Sequence, residues 1–244
     1  MNRFRVTPSI IPNLFTAMNM FSGFLSIVNT SEGKFIYAAW LIIIASIFDA
    51  LDGVMARLTN SSSELGVELD SLSDVVSFGA APAFLIYKSY LFQYNSVGII
   101  ISSLLMLAGG FRLARFNIQL VGFEKSFFKG LPIPMSAITM ASFSLAFYSN
   151  SAGYPDPYTK IIIPLILLLS FLMISRIKYD SFPKFKLKDL KDKPYLLFLV
   201  VLAIILLILF SFAQALFFMF IFIILFGIFR HIFSIVKKKF LPGK

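Results

Sequence analysis

Asp49, Asp52, Asp70 and Asp74 are the residues from which a chemistry can be argued, because each lies in or beside a strongly apolar stretch. A carboxylate near a bilayer is costly and defaults to a functional role. Asp49 and Asp52 are three residues apart, and Asp70 and Asp74 four, so on helices each pair shares a face. A turn through Asn60 to Ser63 would bring the two faces together. Four converging carboxylates repel one another, and bound cations remove that repulsion. Hard oxygen ligands suit Mg²⁺ or Mn²⁺. A helix cap would account for a single aspartate such as Asp70. It does not account for four at helical spacings.

The residues between the aspartates fit an anionic substrate. Gly53 follows Asp52 directly, where the absent side chain would admit a bulky group beside two ligands. In a helix it costs about 1 kcal/mol relative to alanine, and tight helix packing is its other reading. Gly66 carries the same two readings. Arg57 offers a planar fork to phosphate oxygens, and it would also serve as an ordinary topology-setting arginine.

The elements that hold these groups are membrane helices. The chain has 244 residues, 58% of them hydrophobic and 30 of them phenylalanine, with a mean hydropathy of +0.86. Its apolar residues fall in blocks near the length of about 20 that a spanning helix needs. An all-α polytopic bundle of eight helices is expected, at 10–29, 36–57, 71–92, 96–116, 133–151, 158–175, 195–212 and 215–236. Pro8 to Asn29 is too long for the apolar core of a signal peptide and reads as the first span. With no cysteine in the chain, disulfides and thiolate chemistry are excluded.

Charge sets the orientation. With both termini inside, 19 of the 22 lysines and arginines fall on the cytoplasmic side, leaving only Lys34, Lys88 and Lys160 outside. That asymmetry supports an even helix count with N-in, C-in topology. The net charge of +10 is explained by anionic membrane lipids, and no aromatic-interleaved basic motif points to nucleic acid. A transporter would also use membrane aspartates, but there is no inverted repeat and the acids sit at an edge. A purely structural scaffold leaves the acidic cluster unexplained.

From Asp49 to Asp74 the residues read D-x2-D-G-x2-A-R-x8-G-x3-D-x3-D, which resembles the complete signature of the CDP-alcohol phosphotransferases. The resemblance implies a six-helix core around a site for two divalent cations, usually in a homodimer. Residues 1–193 would form that core, and 194–244 two further helices and a basic tail. By position, Asp49, Asp52 and Asp70 look like metal ligands, and Asp74 like both a ligand and the general base. Gly53, Arg57, Ser63 and Gly66 match the CDP-holding part, as do Pro12 and Asn13, less specifically.

Three further stretches are similar to the membrane-integral, serine-accepting branch of that family: Asp70 to Pro82, Phe111 to Asn117, and Gly130 to Pro134. The implied reaction joins CDP-diacylglycerol to L-serine and releases CMP. Arg112 and Arg115 would offer cations to a carboxylate or phosphate, and Asn117 an acceptor to an ammonium. Glycerol 3-phosphate or inositol phosphate are the alternative acceptors. The arginines are equally readable as positive-inside charges, and Asn117 as a helix end.

Overall fold

The computed structural model describes residues 10–59, 64–121, 130–177 and 205–240. α1 (Ile10–Ser31) and α2 (Phe35–Leu58) form an antiparallel hairpin closed by a short turn in which Gly33 takes φ 78°. The buried face of α1 carries Thr16, Asn19, Ser22, Gly23, Ser26 and Thr30. Small residues let membrane helices approach closely, and here Ser26 donates to the Ala38 carbonyl across the hairpin at 2.8 Å.

α3 (Glu64–Asp74), a π-helical turn (Val75–Ala80) and α4 (Ala81–Ser89) follow as one rod. Proline has no N–H and crowds the preceding turn. Just before Pro82 the ladder widens, so that the Ala81 N–H bonds to the Val76 carbonyl, five residues back. A 3₁₀ turn (Leu91–Tyr94) reverses the chain into α5 (Asn95–Val121). There a Cβ on Gly98 would stand 2.0 Å from the Leu91 carbonyl oxygen, so the reversal requires glycine.

α6 (Ile133–Phe147) is the central helix, buried along most of its length. Its entry is fixed by Gly130, at φ 92°, whose N–H donates to the Ile177 carbonyl at 2.8 Å. α7 (Tyr158–Ile174) lies beside it. α8 (Phe212–Phe240) begins with a reciprocal cap between Ser211 and Gln214. Phe217 then packs on Phe143 and Phe147 of α6, and Phe212 stacks on Trp40 of α2.

Five of these helices are long and apolar enough to cross a bilayer, and α6 and α7 are shorter apolar helices. Large apolar side chains such as Phe21, Phe111, Phe171 and Phe229 face outward, while much of the polar chemistry faces inward. The protein is an all-helical, polytopic membrane protein.

The boundaries differ from the sequence expectation in four places. The third helix starts at Glu64, not residue 71, because the motif's polar residues continue the helical face. The fourth runs on to Val121, so Asn117 lies within a helix. The fifth stops at Phe147, where Tyr148 turns extended. The last is longer at both ends, Phe212–Phe240. Most of the expected helix at 195–212 lies outside the described residues.

Candidate active site

One end of the bundle gathers the start of α1, the ends of α2, α5 and α7, and the rod that contains α3. Asp49 and Asp52 lie in the last turns of α2, and Asp70 and Asp74 in the last turn of α3. Asp70 is thus inside its helix and caps nothing. One carboxylate oxygen each from Asp49, Asp70 and Asp74 lies within 4.8 Å of the others. The Asp52 carboxylate lies against that of Asp70.

Thr16 of α1 ties both helices together. Its hydroxyl donates to Asp52 Oδ2 at 3.0 Å, and its carbonyl accepts the Ser73 hydroxyl at 3.1 Å. One turn deeper, Ser77 in the π turn donates to the Asn19 carbonyl at 2.9 Å. A Cβ on Gly23 would fall 2.3 Å from Ser77 Oγ, so α1 seats directly on the widened turn. Widened turns of this kind recur at functional sites.

Buried polar atoms are normally satisfied. Here Asp70 Oδ1 and Asp74 Oδ1 have no hydrogen-bond partner among the described residues. Lone pairs of this kind, on carboxylates that crowd together, suit a hard divalent cation. The donor set therefore fits the expected metal, with Asp49, Asp70 and Asp74 directly grouped and Asp52 alongside, partly engaged by Thr16.

The remaining site residues divide by surroundings. Arg112 is 8% exposed, faces Asp74 electrostatically, and leaves its Nε unpartnered. Arg115 instead donates to the carbonyls of Ile174 at 2.9 Å and Ser175 at 3.4 Å, clamping the end of α7. Asn117 donates to Ser71 Oγ at 3.0 Å, and its Oδ1 is left unpartnered.

Among the described residues, a Cβ on Gly53 would meet only Arg57 Nη1, at 3.8 Å, which leaves room there beside the aspartates. Pro12 is buried, and Asn13 and Gly66 are half-buried. Ser63 lies outside the described residues. The sequence reading missed Thr16, Ser73, Ser77 and Asn19. Polar residues at helical spacing on an otherwise apolar α1 were the available signal.

Residues 9–172 match the family model described as CDP-alcohol phosphatidyltransferase. The chain belongs to this family. Every site residue discussed above falls within the matched span, whereas α8 lies beyond it. Among similar proteins is the CDP-diacylglycerol–serine O-phosphatidyltransferase of Helicobacter pylori strain J99, 38% identical over 236 residues, or 96% of each chain. The archaetidylserine synthase of Methanothermobacter thermautotrophicus is 41% identical over 184 residues, 73% of each chain. A CDP-diacylglycerol–serine O-phosphatidyltransferase of Bacillus subtilis is 32% identical over 184 residues, 75% of this chain and 96% of that one. The protein is an enzyme of the CDP-alcohol phosphotransferase type.

Proposed function

We propose that the enzyme transfers the phosphatidyl group of CDP-diacylglycerol to L-serine, giving phosphatidylserine and CMP, with two divalent cations, Mg²⁺ or Mn²⁺, held by Asp49, Asp52, Asp70 and Asp74. The observation that carries this reading is the grouping of three carboxylates, two with unpartnered oxygens, beside a buried arginine and an open glycine face. The names of the relatives support serine as acceptor.

Bound at these carboxylates, divalent ions would neutralise the pyrophosphate and stabilise the leaving CMP, as they do in phosphoryl transfer generally. Asp74 takes the proton of the serine hydroxyl as its oxygen attacks the phosphorus that carries diacylglycerol. A new P–O bond forms to serine, and the P–O bond to CMP breaks. Arg57 steadies the charge gathering on the phosphate oxygens. Pro12, Asn13, Gly53, Ser63 and Gly66 shape the side that takes CDP. Arg112 lies on the Asp74 side and attracts the serine carboxylate. Arg115, clamped to α7, keeps the Arg112 turn in place, and Asn117 offers its free oxygen to the serine ammonium.

The positive-inside asymmetry supports an active site on the cytoplasmic face of the cell membrane, with acyl chains remaining in lipid beside the site. Residues 1–193 form the catalytic unit, and 194–244 add an anchoring segment. The B. subtilis relative, covered over 96% of its length by 75% of this chain, supports a catalytic unit shorter than the whole. The functional unit is a homodimer, checked by mass photometry in detergent.

The deciding assay is CMP release by purified protein with CDP-diacylglycerol and Mg²⁺ or Mn²⁺, comparing L-serine, glycerol 3-phosphate and inositol phosphate. Release that needs serine supports the reading. Release with another alcohol moves the chain to another branch of the family, and release with none overturns the assigned reaction.

A further inference from the structure

The Asn19 carbonyl holds Ser77, but its side-chain amide has no such partner, and its surroundings demand one. Asn19 is 0% exposed, and among the described residues neither its amide nitrogen nor its amide oxygen has a hydrogen-bond partner. A buried, unsatisfied amide costs stability, and in a membrane helix such a group defaults to function. Its backbone carbonyl accepts the hydroxyl of Ser77, three residues beyond Asp74. Thr16, one turn earlier on α1, accepts at its own carbonyl the hydroxyl of Ser73, the residue before Asp74. Two rungs thus join α1 to the rod, at Thr16/Ser73 and Asn19/Ser77, and Asp74 lies between them. Helical side chains tilt toward the helix N-terminus, which in α1 is the site end. In the adjoining rod Asp74 Oδ1 is also without a partner among the described residues.

We infer that Asn19 forms the floor of the acceptor pocket and contacts the small zwitterionic amino alcohol directly, setting specificity for it. This rests on the reaction proposed above. The ligand class follows by elimination among the substrates' parts. Diacylglycerol tails are apolar and have no use for an amide. The nucleotide side, at Pro12 and Asn13, lies six to seven residues nearer the helix start, a distance of about 10 Å at 1.5 Å per residue. A compact acceptor whose hydroxyl reaches Asp74 is the part left to reach Asn19. An asparagine amide supplies one acceptor oxygen and two donor hydrogens, which suits an ammonium and a carboxylate on the same molecule.

The test compares wild type with Asn19→Leu, which keeps the branched four-atom shape without hydrogen bonds, and Asn19→Ser, which keeps one hydroxyl. Three quantities are measured: CMP release against L-serine concentration at saturating CDP-diacylglycerol, the Kd for CDP in Mg²⁺, and the thermal midpoint in detergent. In Asn19→Leu the serine KM is expected to rise tenfold or more, with the CDP Kd within twofold of wild type and the midpoint equal or higher. Asn19→Ser should fall between the two. An unchanged serine KM in both variants overturns the inference, as does a parallel loss of CDP affinity, which would mark a merely structural residue. Should Asn19→Leu fail to fold, Asn19→Ser decides alone by the same readouts. A wild type that releases CMP with serine while the variants match it sinks only the Asn19 assignment. A wild type inactive with serine overturns the proposed reaction itself.

Discussion

Asp74 and Tyr154 are almost equally buried, at 7% and 6% exposure, at opposite ends of one bundle, and they are treated in opposite ways. The Tyr154 hydroxyl meets Ser144 at 2.8 Å and Ser89 at 3.4 Å. Its ring stacks on Phe143 and meets Tyr90 and Tyr148 edge-on. Asp74 keeps a buried oxygen with no partner and two acidic neighbours within reach. Among the described residues, most of the buried polar side-chain atoms without partners are those of Asn19, Asp70, Asp74, Arg112 and Asn117 at the site end, while Thr30 and Ser170 each leave a single hydroxyl. Around Tyr154, where a polar group holds helices together, the chain supplies its partners. Where a ligand is to be bound, the chain withholds them.

The comparison breaks most visibly at Asp74. Asp74→Asn removes the proposed base without changing side-chain size, and general-base catalysis is worth on the order of 10²–10⁴-fold. CMP release should fall by that factor, while the thermal midpoint holds or rises because a carboxylate leaves a crowded acidic group. Near-wild-type turnover would end the assignment of Asp74 as base.

Next in size is the metal. Chelation should abolish turnover, and Mg²⁺ or Mn²⁺ should restore it. A ligand at about 100 times its Kd stabilises the folded state by about 2.7 kcal/mol, roughly 5–10 °C in midpoint for a chain of this size. That shift should appear in wild type and vanish in an Asp49→Asn, Asp70→Asn double variant. An equal shift in both would place the cation elsewhere.

A smaller effect is expected from Thr16→Val, which keeps shape and deletes the hydroxyl that holds Asp52 Oδ2. Groups that orient metal ligands are typically worth 10–100-fold in metal affinity. The Mn²⁺ concentration for half-maximal activity should rise about tenfold, with most of the turnover recovered at excess Mn²⁺. A loss that excess metal cannot rescue would give Thr16 a different part in the reaction.

How much of this was legible in the residues follows from range. Asp49, Asp52, Asp70 and Asp74 were readable because helical spacing is local and carboxylates in apolar sequence are rare. Most spans among the described residues were readable from block hydropathy, and the family from the fixed spacing of the aspartate signature. Thr16 and Asn19 were not, because their meaning depends on Asp52, Ser73 and Ser77, dozens of residues away, and a lone polar residue in α1 has many possible partners. The π turn was hidden for another reason: Pro82 signals a disturbed ladder but not whether the helix breaks, kinks or widens. The early start of α3 was hidden by its polarity, since Glu64 to Asp70 looks like a loop to a hydropathy reading yet completes a helical face.

The smallest effect tests the other half of the comparison. Tyr154→Phe removes a hydroxyl that serves packing alone, so turnover should be unchanged while stability falls by about 0.5–1.5 kcal/mol, the usual net worth of one hydrogen bond. Ser144 keeps a partner in the Met140 carbonyl, which favours the lower end of that range. The same residue carries a pH signature. Burial pushes the Tyr154 phenol from its ordinary value near 10 up to about 12, so the folded state holds its proton where the unfolded chain would release it. The stability tied to that proton is complete below pH 10 and drains away as pH rises toward 12. Thermal melts of wild type between pH 9 and 11.5 should therefore decline more steeply than those of Tyr154→Phe, although wild type begins the higher of the two. Parallel curves would mean that the phenol is reached by water in the membrane-embedded protein. A drop in turnover at neutral pH would mean that the far end of the bundle is coupled to the carboxylates after all, and the division of labour between the two ends would have to be redrawn.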